Sequence, residues 1–380
     1  MTKKKVLVLT DHMPWGHRSI AKAIFNYLKA NEKDSNYEVV YSEIKAETGF
    51  GDDLYTFAYR YLPASNRLAH RVFDKKFARD LMRKTSAFNL PRLKKEINKI
   101  KPDLIISAYF FHSHSLAGWK KEEKKKFKLW TVVADPWTIN PISFVKGCDL
   151  SIVYDQIGED LAKKYEIKSD QILKTGWWVR PEMYQKIDKQ AARKKLGIND
   201  DRPVIFVGGG SLGTNSLTKL LPTLIFIKKK VAFVINTGVD KFAYKMVESY
   251  IKILSKMRKD DNVYIKNMGW IDNMAEVLGA ADIVFGKAGP NFLFDVVACQ
   301  KPFVAITHIG GQEDGNIDLI RKKNLGWVRE KSSDLVNFLY RYLDDPKYFE
   351  KKFKKSIEEE ALNNQKSLKI ILDRVKKDLE

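Results

Sequence analysis

Short apolar runs alternate with longer mixed stretches along most of the chain. Val6 to Thr10, Tyr37 to Tyr41, Leu104 to Ser107, Leu129 to Val133 and Leu150 to Tyr154 read as strands. A second series follows at Val204 to Val207, Val231 to Asn236, Val263 to Lys266, Ile283 to Phe285 and Pro302 to Ile306. Runs this uniformly apolar, rather than alternating, suit parallel strands covered on both faces. The stretches between them fit helices, the first at Ser19 to Ala30. Two such series predict an α/β chain of two Rossmann-like, doubly wound domains. The break lies near Trp178 to Arg202, where Pro181 and Pro203 flank a short helical stretch, Lys189 to Leu196, with Gly197 as its stop. The expected division is a domain at 1–180, a linker at 181–202, a domain at 203–365 and a final helix at 366–380.

Composition narrows the classes. With 380 residues, 44% hydrophobic and 30% charged, the chain can bury two cores, and disorder is not expected. Its two cysteines, Cys148 and Cys299, argue against a disulfide scaffold and a Cys-rich zinc module and fit a reducing, cytoplasmic setting. The longest apolar runs, such as Leu220 to Ile227, are far short of the roughly 20 residues of a spanning helix. Lys3-Lys4-Lys5 followed by Val6 to Leu9 begins like a signal peptide, but the run stops at Thr10-Asp11 and reads as a first strand. The expected protein is soluble or peripherally attached.

The net charge of +21 implies an anionic partner. From Arg60 to Lys128 there are 19 Lys and Arg against 6 Asp and Glu, so over half of the excess falls in under a fifth of the chain. Tyr61, Phe73, Phe77, Phe88, Phe110, Phe111 and Trp119 are interleaved with it. Basic residues with exposed aromatics suit an anionic membrane surface. A solvated helical face with its aromatics in the core has the same pattern.

Glycine-rich segments follow three strands of the second series. Gly208-Gly209-Gly210-Ser211-Leu212-Gly213 lets the backbone approach a ligand and leads into a helix start, an arrangement suited to phosphate; it also fits a tight strand-to-helix turn. It has neither the Lys-Ser/Thr of a P-loop nor the spacing of a dinucleotide fingerprint. Gly286-Lys287-Ala288-Gly289-Pro290-Asn291 opens a helix at Phe292 to Cys299, with Lys287 adding charge for a pyrophosphate and Asp295 one turn further in, where it can accept from ribose hydroxyls. In Gly310-Gly311-Gln312-Glu313-Asp314-Gly315-Asn316, the side chains of Gln312, Glu313 and Asn316 are of types that bind sugar hydroxyls. With Met268-Gly269-Trp270, all these segments fall at the carboxyl edge of one sheet, where open α/β folds bind ligands.

Lys287-Ala288-Gly289-Pro290, Asp295, Pro302 and Gly311 to Asn316, with Asp135-Pro136-Trp137-Thr138 and Gly16-His17 earlier, resemble a glycosyltransferase family over essentially the whole chain. It contains monogalactosyldiacylglycerol synthases, processive diacylglycerol glucosyltransferases and the lipid I N-acetylglucosaminyltransferase. The diacylglycerol branch is the nearer match. The resemblance implies a GT-B fold, two Rossmann-like domains facing a cleft, with the C-terminal helix returning to the N-terminal domain. It implies a UDP-sugar held by the second domain through Gly209, Gly210, Ser211, Gly269, Trp270, Lys287, Ala288, Gly289, Pro290, Asp295, Gln312, Glu313 and Asn316. The first domain would hold the lipid and face the membrane. Two positions depart from the family pattern: the first loop, His12 to His17, is poorer in glycine, and Asp295 stands where Glu is usual.

The resemblance makes His17 the base that takes the acceptor proton, with His12 and Asp11 as nearby rivals, and Asp135 the second catalytic acid, orienting His17 or the acceptor. His112 and His114 are spaced His-x-His, but no Cys or carboxylate motif completes a metal set, and none is expected. The expected activity is inverting transfer of a hexose from UDP-glucose or UDP-galactose to diacylglycerol, with no cofactor beyond the donor, at the cytoplasmic face of an anionic membrane. The alternatives are transfer of N-acetylglucosamine to a lipid-linked cell-wall precursor, UDP-sugar 2-epimerisation and nucleic-acid binding. The last explains the charge but not the glycine loops, and nucleic acid is not expected as a partner.

Overall fold

The computed structural model describes residues 3–12, 16–33, 35–45, 87–208 and 214–380. Two compact units emerge: Met1–Val179 with Gly310–Gly315 and Asn363–Glu380, and Arg180–Ile309 with Asn316–Leu362.

The first unit is built on a parallel sheet of β1 (Lys4–Thr10), β2 (Tyr37–Glu43), β3 (Leu104–Ser107), β4 (Lys128–Val132), β5 (Leu150–Val153) and β6 (Ile172–Lys174). Their order is β2-β1-β3-β4-β5-β6. Val6 to Leu9 and Leu104 to Ile106 are completely buried, which is why these runs carry no polar alternation. The chain reverses direction across the sheet between β1 and β3, so their carboxyl ends form a switch point. Helix Gly16–Ala30 follows β1 and buries Ile20, Ala21, Ala23, Ile24 and Leu28. Helix Phe110–Glu122 follows β3. Residues 363–380 join this unit: the amide of Trp177 donates to Asn364 Oδ1 at 2.8 Å and Ser367 Oγ donates to the Trp177 carbonyl at 2.9 Å.

The second unit holds β7 (Val204–Gly208), β8 (Val231–Asn236), β9 (Val263–Met268), β10 (Ile283–Lys287), β11 (Phe303–Thr307) and β12 (Gly326–Val328), in the order β12-β11-β10-β7-β8-β9. Its switch point lies between β7 and β10. Residues 181–202, read from the sequence as a linker, pack in this unit. Arg193, on helix Lys189–Lys195, is buried; its guanidinium donates to Asp282 at 2.5 Å and to the Ala280 carbonyl at 3.0 Å. Asp282 also accepts from the Val204 amide at 2.7 Å, which ties the helix to the start of β7.

The strand expectations hold at every run. The sheets add β6 and β12, both edge strands of three residues, too short to give a run of their own. The basic segment is only partly visible: residues 60–86, with Tyr61, Phe73 and Phe77, lie outside the described residues. Within the rest, Phe111 and Trp119 are core residues, whereas Phe88 is 65% exposed. Lys94 and Lys125 both sit over the Trp119 ring and both pair with Glu123. No helix of the described residues is long and apolar enough to cross a membrane.

Candidate functional site

In the first unit, the switch point brings His17 to the end of β3. His17 Nδ1 lies 2.8 Å from the Ala108 carbonyl. A carbonyl only accepts, so Nδ1 carries the proton and Nε2 carries the lone pair. Burial of the ring lowers its pKa; the Ala108 bond and the Asp11 charge oppose that shift. The imidazole is therefore neutral at pH 7 and basic at one defined atom. Tyr109 packs edge-on to His17 at a centroid distance of 5.3 Å. The rival bases behave differently: Asp11 is buried, and its Oδ1 is 2.8 Å from His12 Nδ1, so the two residues engage each other.

His112 and His114 part company. They lie two residues apart on a helix and so project about 200° apart. His114 Nε2 is 2.8 Å from the Ile142 carbonyl, while His112 is completely buried against Tyr109 with neither ring nitrogen bonded. Burial lowers its pKa to about 4. Among the described residues no cluster of three or more His, Cys, Asp or Glu is arranged to hold a metal.

Asp135 sits in the turn after β4. Trp137 holds this turn by donating Nε1–H to Asp155 Oδ2 at 2.9 Å, and Asp155 in turn caps helix Gln156–Lys164. The loop Gly310–Gly315 belongs to the same unit and approaches closely: the Gly315 amide donates to Thr138 Oγ1 at 2.5 Å. A Cβ on Gly315 would lie 2.6 Å from the Thr138 backbone nitrogen, so only glycine fits. This approach sets Glu313, itself buried, near Asp135. Burial, with the Glu313 charge adding to it, raises Asp135 to about 7. Sequence reasoning placed Glu313 with the sugar-binding residues and did not foresee its effect on Asp135. Gln312, in the same loop, is half-buried.

In the second unit, Gly208 and Gly286 pair across the switch point. A Cβ on Gly286 would lie 2.4 Å from the Gly208 carbonyl oxygen and 2.6 Å from the Phe292 ring. Gly209, Gly210 and Ser211 lie outside the described residues. Lys287 ends β10, and Ala288 is fully buried with its amide donating to the Thr307 carbonyl at 2.9 Å. Gly289 stands at the N-cap of helix Pro290–Ala298 and offers no side chain to cap it; Pro290 fills the first turn. The first-turn amides and the positive dipole end thus follow directly on Lys287. Asn316 is buried; its Nδ2 donates to the Ala288 carbonyl at 2.8 Å, and its Oδ1 has no partner.

Asp295 departs from simple expectation. Its Oδ2 accepts from Arg180 Nη2 at 3.1 Å. Burial raises its pKa to about 6, against the pull of Arg180. Arg180 had no role in the sequence reading. Gly269 and Trp270 follow β9, with Trp270 70% exposed and its Nε1–H donating to Asp272 at 2.8 Å. Adjacent strands lie about 4.8 Å apart, so the ends of β9 and β10, three strand steps apart, are separated by roughly 14 Å. The carboxyl edge can therefore host an extended ligand rather than a lone phosphate.

Comparison with known proteins agrees with this geometry. Residues 17–179 match the monogalactosyldiacylglycerol (MGDG) synthase family and residues 204–369 the glycosyltransferase family 28 C-terminal domain. The chain is 24% identical over 360 residues to a probable chloroplastic monogalactosyldiacylglycerol synthase of Glycine max, covering 91% of this chain and 66% of that protein. It thus spans just under two thirds of that relative's length. It is 25% identical over 299 residues to the UDP-N-acetylglucosamine–N-acetylmuramyl-(pentapeptide) pyrophosphoryl-undecaprenol N-acetylglucosamine transferase of Acetivibrio thermocellus, covering 77% of this chain and 74% of that protein. The fold resembles Acinetobacter baumannii MurG, with a TM-score of 0.60 and 14% identity over 98% of this chain and 99% of that one. The first half of the chain carries the synthase match and the second half the transferase domain, on two parallel six-stranded sheets, and on these grounds the chain is similar to monogalactosyldiacylglycerol synthases and family 28 glycosyltransferases and has their GT-B fold.

Proposed function

We propose that this protein is an inverting glycosyltransferase that moves a hexose from UDP-glucose or UDP-galactose to the hydroxyl of diacylglycerol. The observation that carries the reading is His17: a neutral imidazole whose Nε2 is left as the base because Nδ1 donates to Ala108. Such a base removes the proton of an acceptor hydroxyl as that oxygen attacks the anomeric carbon. One displacement with UDP departing on the opposite face inverts the anomeric centre. Asp135 orients the acceptor beside it.

In the second unit the donor lies along the carboxyl edge. Trp270 meets the base, Asp295 the ribose hydroxyls, and Lys287 with the start of helix Pro290–Ala298 the diphosphate. The unpartnered Oδ1 of Asn316 accepts from a sugar hydroxyl. Gly209, Gly210 and Ser211 are further phosphate ligands in this reading. No cofactor beyond the donor is invoked.

The basic segment from Arg60 to Lys128 holds the protein peripherally on the cytoplasmic face of an anionic membrane. Raising the salt should weaken this hold, because the Debye length is only about 8 Å at physiological ionic strength.

The deciding experiment is incubation with each UDP-sugar and diacylglycerol-containing vesicles, with lipid products read by mass. A hexosyl-diacylglycerol is expected. No hexose transfer, but transfer of N-acetylglucosamine to a lipid-linked cell-wall precursor, would move the assignment to the second reading, which the Acetivibrio thermocellus relative favours.

A further inference from the structure

Helix Lys241–Met257, which joins β8 to β9, carries exposed apolar side chains beyond its buried face. Ala243, Val247 and Leu254 form the buried face. Phe242 is nevertheless 73% exposed, Ile253 54% and Met257 62%. At about 100° per residue these three fall within about 60° of one another, along the edge of the buried face, where Met246 and Tyr250 pack partly against the core. Lys245, Lys252 and Lys256 fall within about 40° of each other on the strip beside it, on the side away from the buried face. All three lysines are exposed, and none makes an ion pair among the described residues. The only acidic side chain within the helix, Glu248, is turned elsewhere and accepts from Asn267 Nδ2 at 2.7 Å.

The pattern continues past the helix end. Arg258 Nη1 donates to the carbonyls of Leu224 and Ile225 at 3.3 and 3.2 Å. That pins the turn carrying Phe226, which is 69% exposed, and the following Lys228 to this end of the helix. Single exposed apolar residues are ordinary, but a stripe of them bordered by unpaired lysines is not.

We infer that this stripe is a second membrane contact, on the donor-binding unit, and that its partner is an anionic lipid bilayer surface. Apolar side chains entering the headgroup boundary with lysines alongside match the chemistry of that surface. A protein partner or a second copy of the chain offers no reason for three unpaired lysines in line. The contact is independent of residues 60–128 and of the acceptor assignment; it rests on the proposed function only in that both involve a lipid surface.

The test uses the full chain with vesicles of phosphatidylcholine alone or with phosphatidylglycerol added. Two variants are compared with the parent: Phe242→Ser with Ile253→Ser and Met257→Ser, and Lys245→Gln with Lys252→Gln and Lys256→Gln. Both should weaken partition into anionic vesicles by about tenfold or more. The apolar variant should do so even at high salt, and the lysine variant only at low salt. Circular dichroism and UDP affinity, unchanged in both, show that the unit is folded. Parent-like partition of both folded variants overturns the inference, as does a parent dimer that the apolar variant dissociates. Hexose transfer to diacylglycerol in neutral detergent micelles is read in parallel. Its absence in the parent counts against the proposed function and leaves the vesicle result to decide the membrane contact.

Discussion

The backbone carbonyl of Ala108, at the end of β3, fixes the protonated nitrogen of His17, at the start of the helix after β1, at 2.8 Å. Two segments 91 residues apart thus decide which ring atom is the base. His17→Ala should leave UDP affinity intact and lower hexose transfer by about 10²–10⁴-fold, the usual worth of general-base catalysis. The base acts in its neutral form, and burial lowers its pKa from 6.5. Transfer should therefore fall as the pH falls, with the midpoint of this acid limb below 6.5. Near-normal turnover in the alanine variant would shift the role to Asp11, His12 or Asp135.

Asp295→Ala should weaken UDP binding by about 1.5–3 kcal/mol, the worth of a hydrogen bond to a charged group, or roughly 10- to 100-fold. Only the carboxylate accepts from two hydroxyls, and Asp295 titrates at about 6. The affinity of the parent should therefore decline as the pH falls through 6, and the alanine variant should lack this decline. Arg180 pulls the pKa down, so Arg180→Ala should move the midpoint upward. Calorimetry with UDP across this range reads all three; a pH-independent affinity in the parent removes Asp295 from the ribose.

Strand positions were legible because a strand buried on both faces must be apolar throughout: Val231 to Asn236 and Leu104 to Ser107 begin and end as their runs do. The turn from Lys287 into helix Pro290–Ala298 was legible because it follows an apolar run and carries Gly289 and Pro290. Several site features had no sequence signal. The Nδ1 partner of His17 is a backbone carbonyl, which any residue supplies. The guanidinium on Asp295 comes from Arg180, which the sequence reading gave to the first domain but which packs in the second unit. Asp135 and Glu313 meet only because Gly315 lets its loop approach Thr138, and nothing in either local sequence marks that approach. The helix Lys241–Met257 hid its exposed stripe because its apolar residues read as core until their directions are known.

Gly286→Ala should destabilise the second unit by about 1–3 kcal/mol, the usual cost of overpacking. The added methyl meets the Gly208 carbonyl oxygen at 2.4 Å, and a backbone oxygen in a central strand pair cannot swing aside. The strain falls on the strand end that leads into the phosphate loop, so UDP affinity should fall with stability. Urea unfolding and UDP calorimetry on the same samples would show it. A variant with parent stability would mean that β7 and β10 are farther apart than the structure has them.

The pairing of Asp135 with Glu313 makes stability depend on pH in a direction opposite to that of most carboxylates. Asp135 has an ordinary value of 3.8 when unfolded and about 7 when folded, with burial the larger cause and Glu313 the second. Between these values the folded state holds a proton that the unfolded state has lost. The folded form therefore loses stability as the pH rises from about 4 to 7, and full stability from this group is present only below the lower value. Asp135→Asn keeps the shape and removes the titration, so the stability of the variant should decline less across that window. Glu313→Gln removes one of the two causes and should bring the Asp135 midpoint down without restoring it to 3.8, since burial remains. Carbon-detected NMR of the Asp135 carboxyl gives the midpoint directly, and denaturant unfolding at several pH values gives the slope. A midpoint near 4 in the parent would show that the Gly310–Gly315 loop does not hold Glu313 near Asp135 in solution.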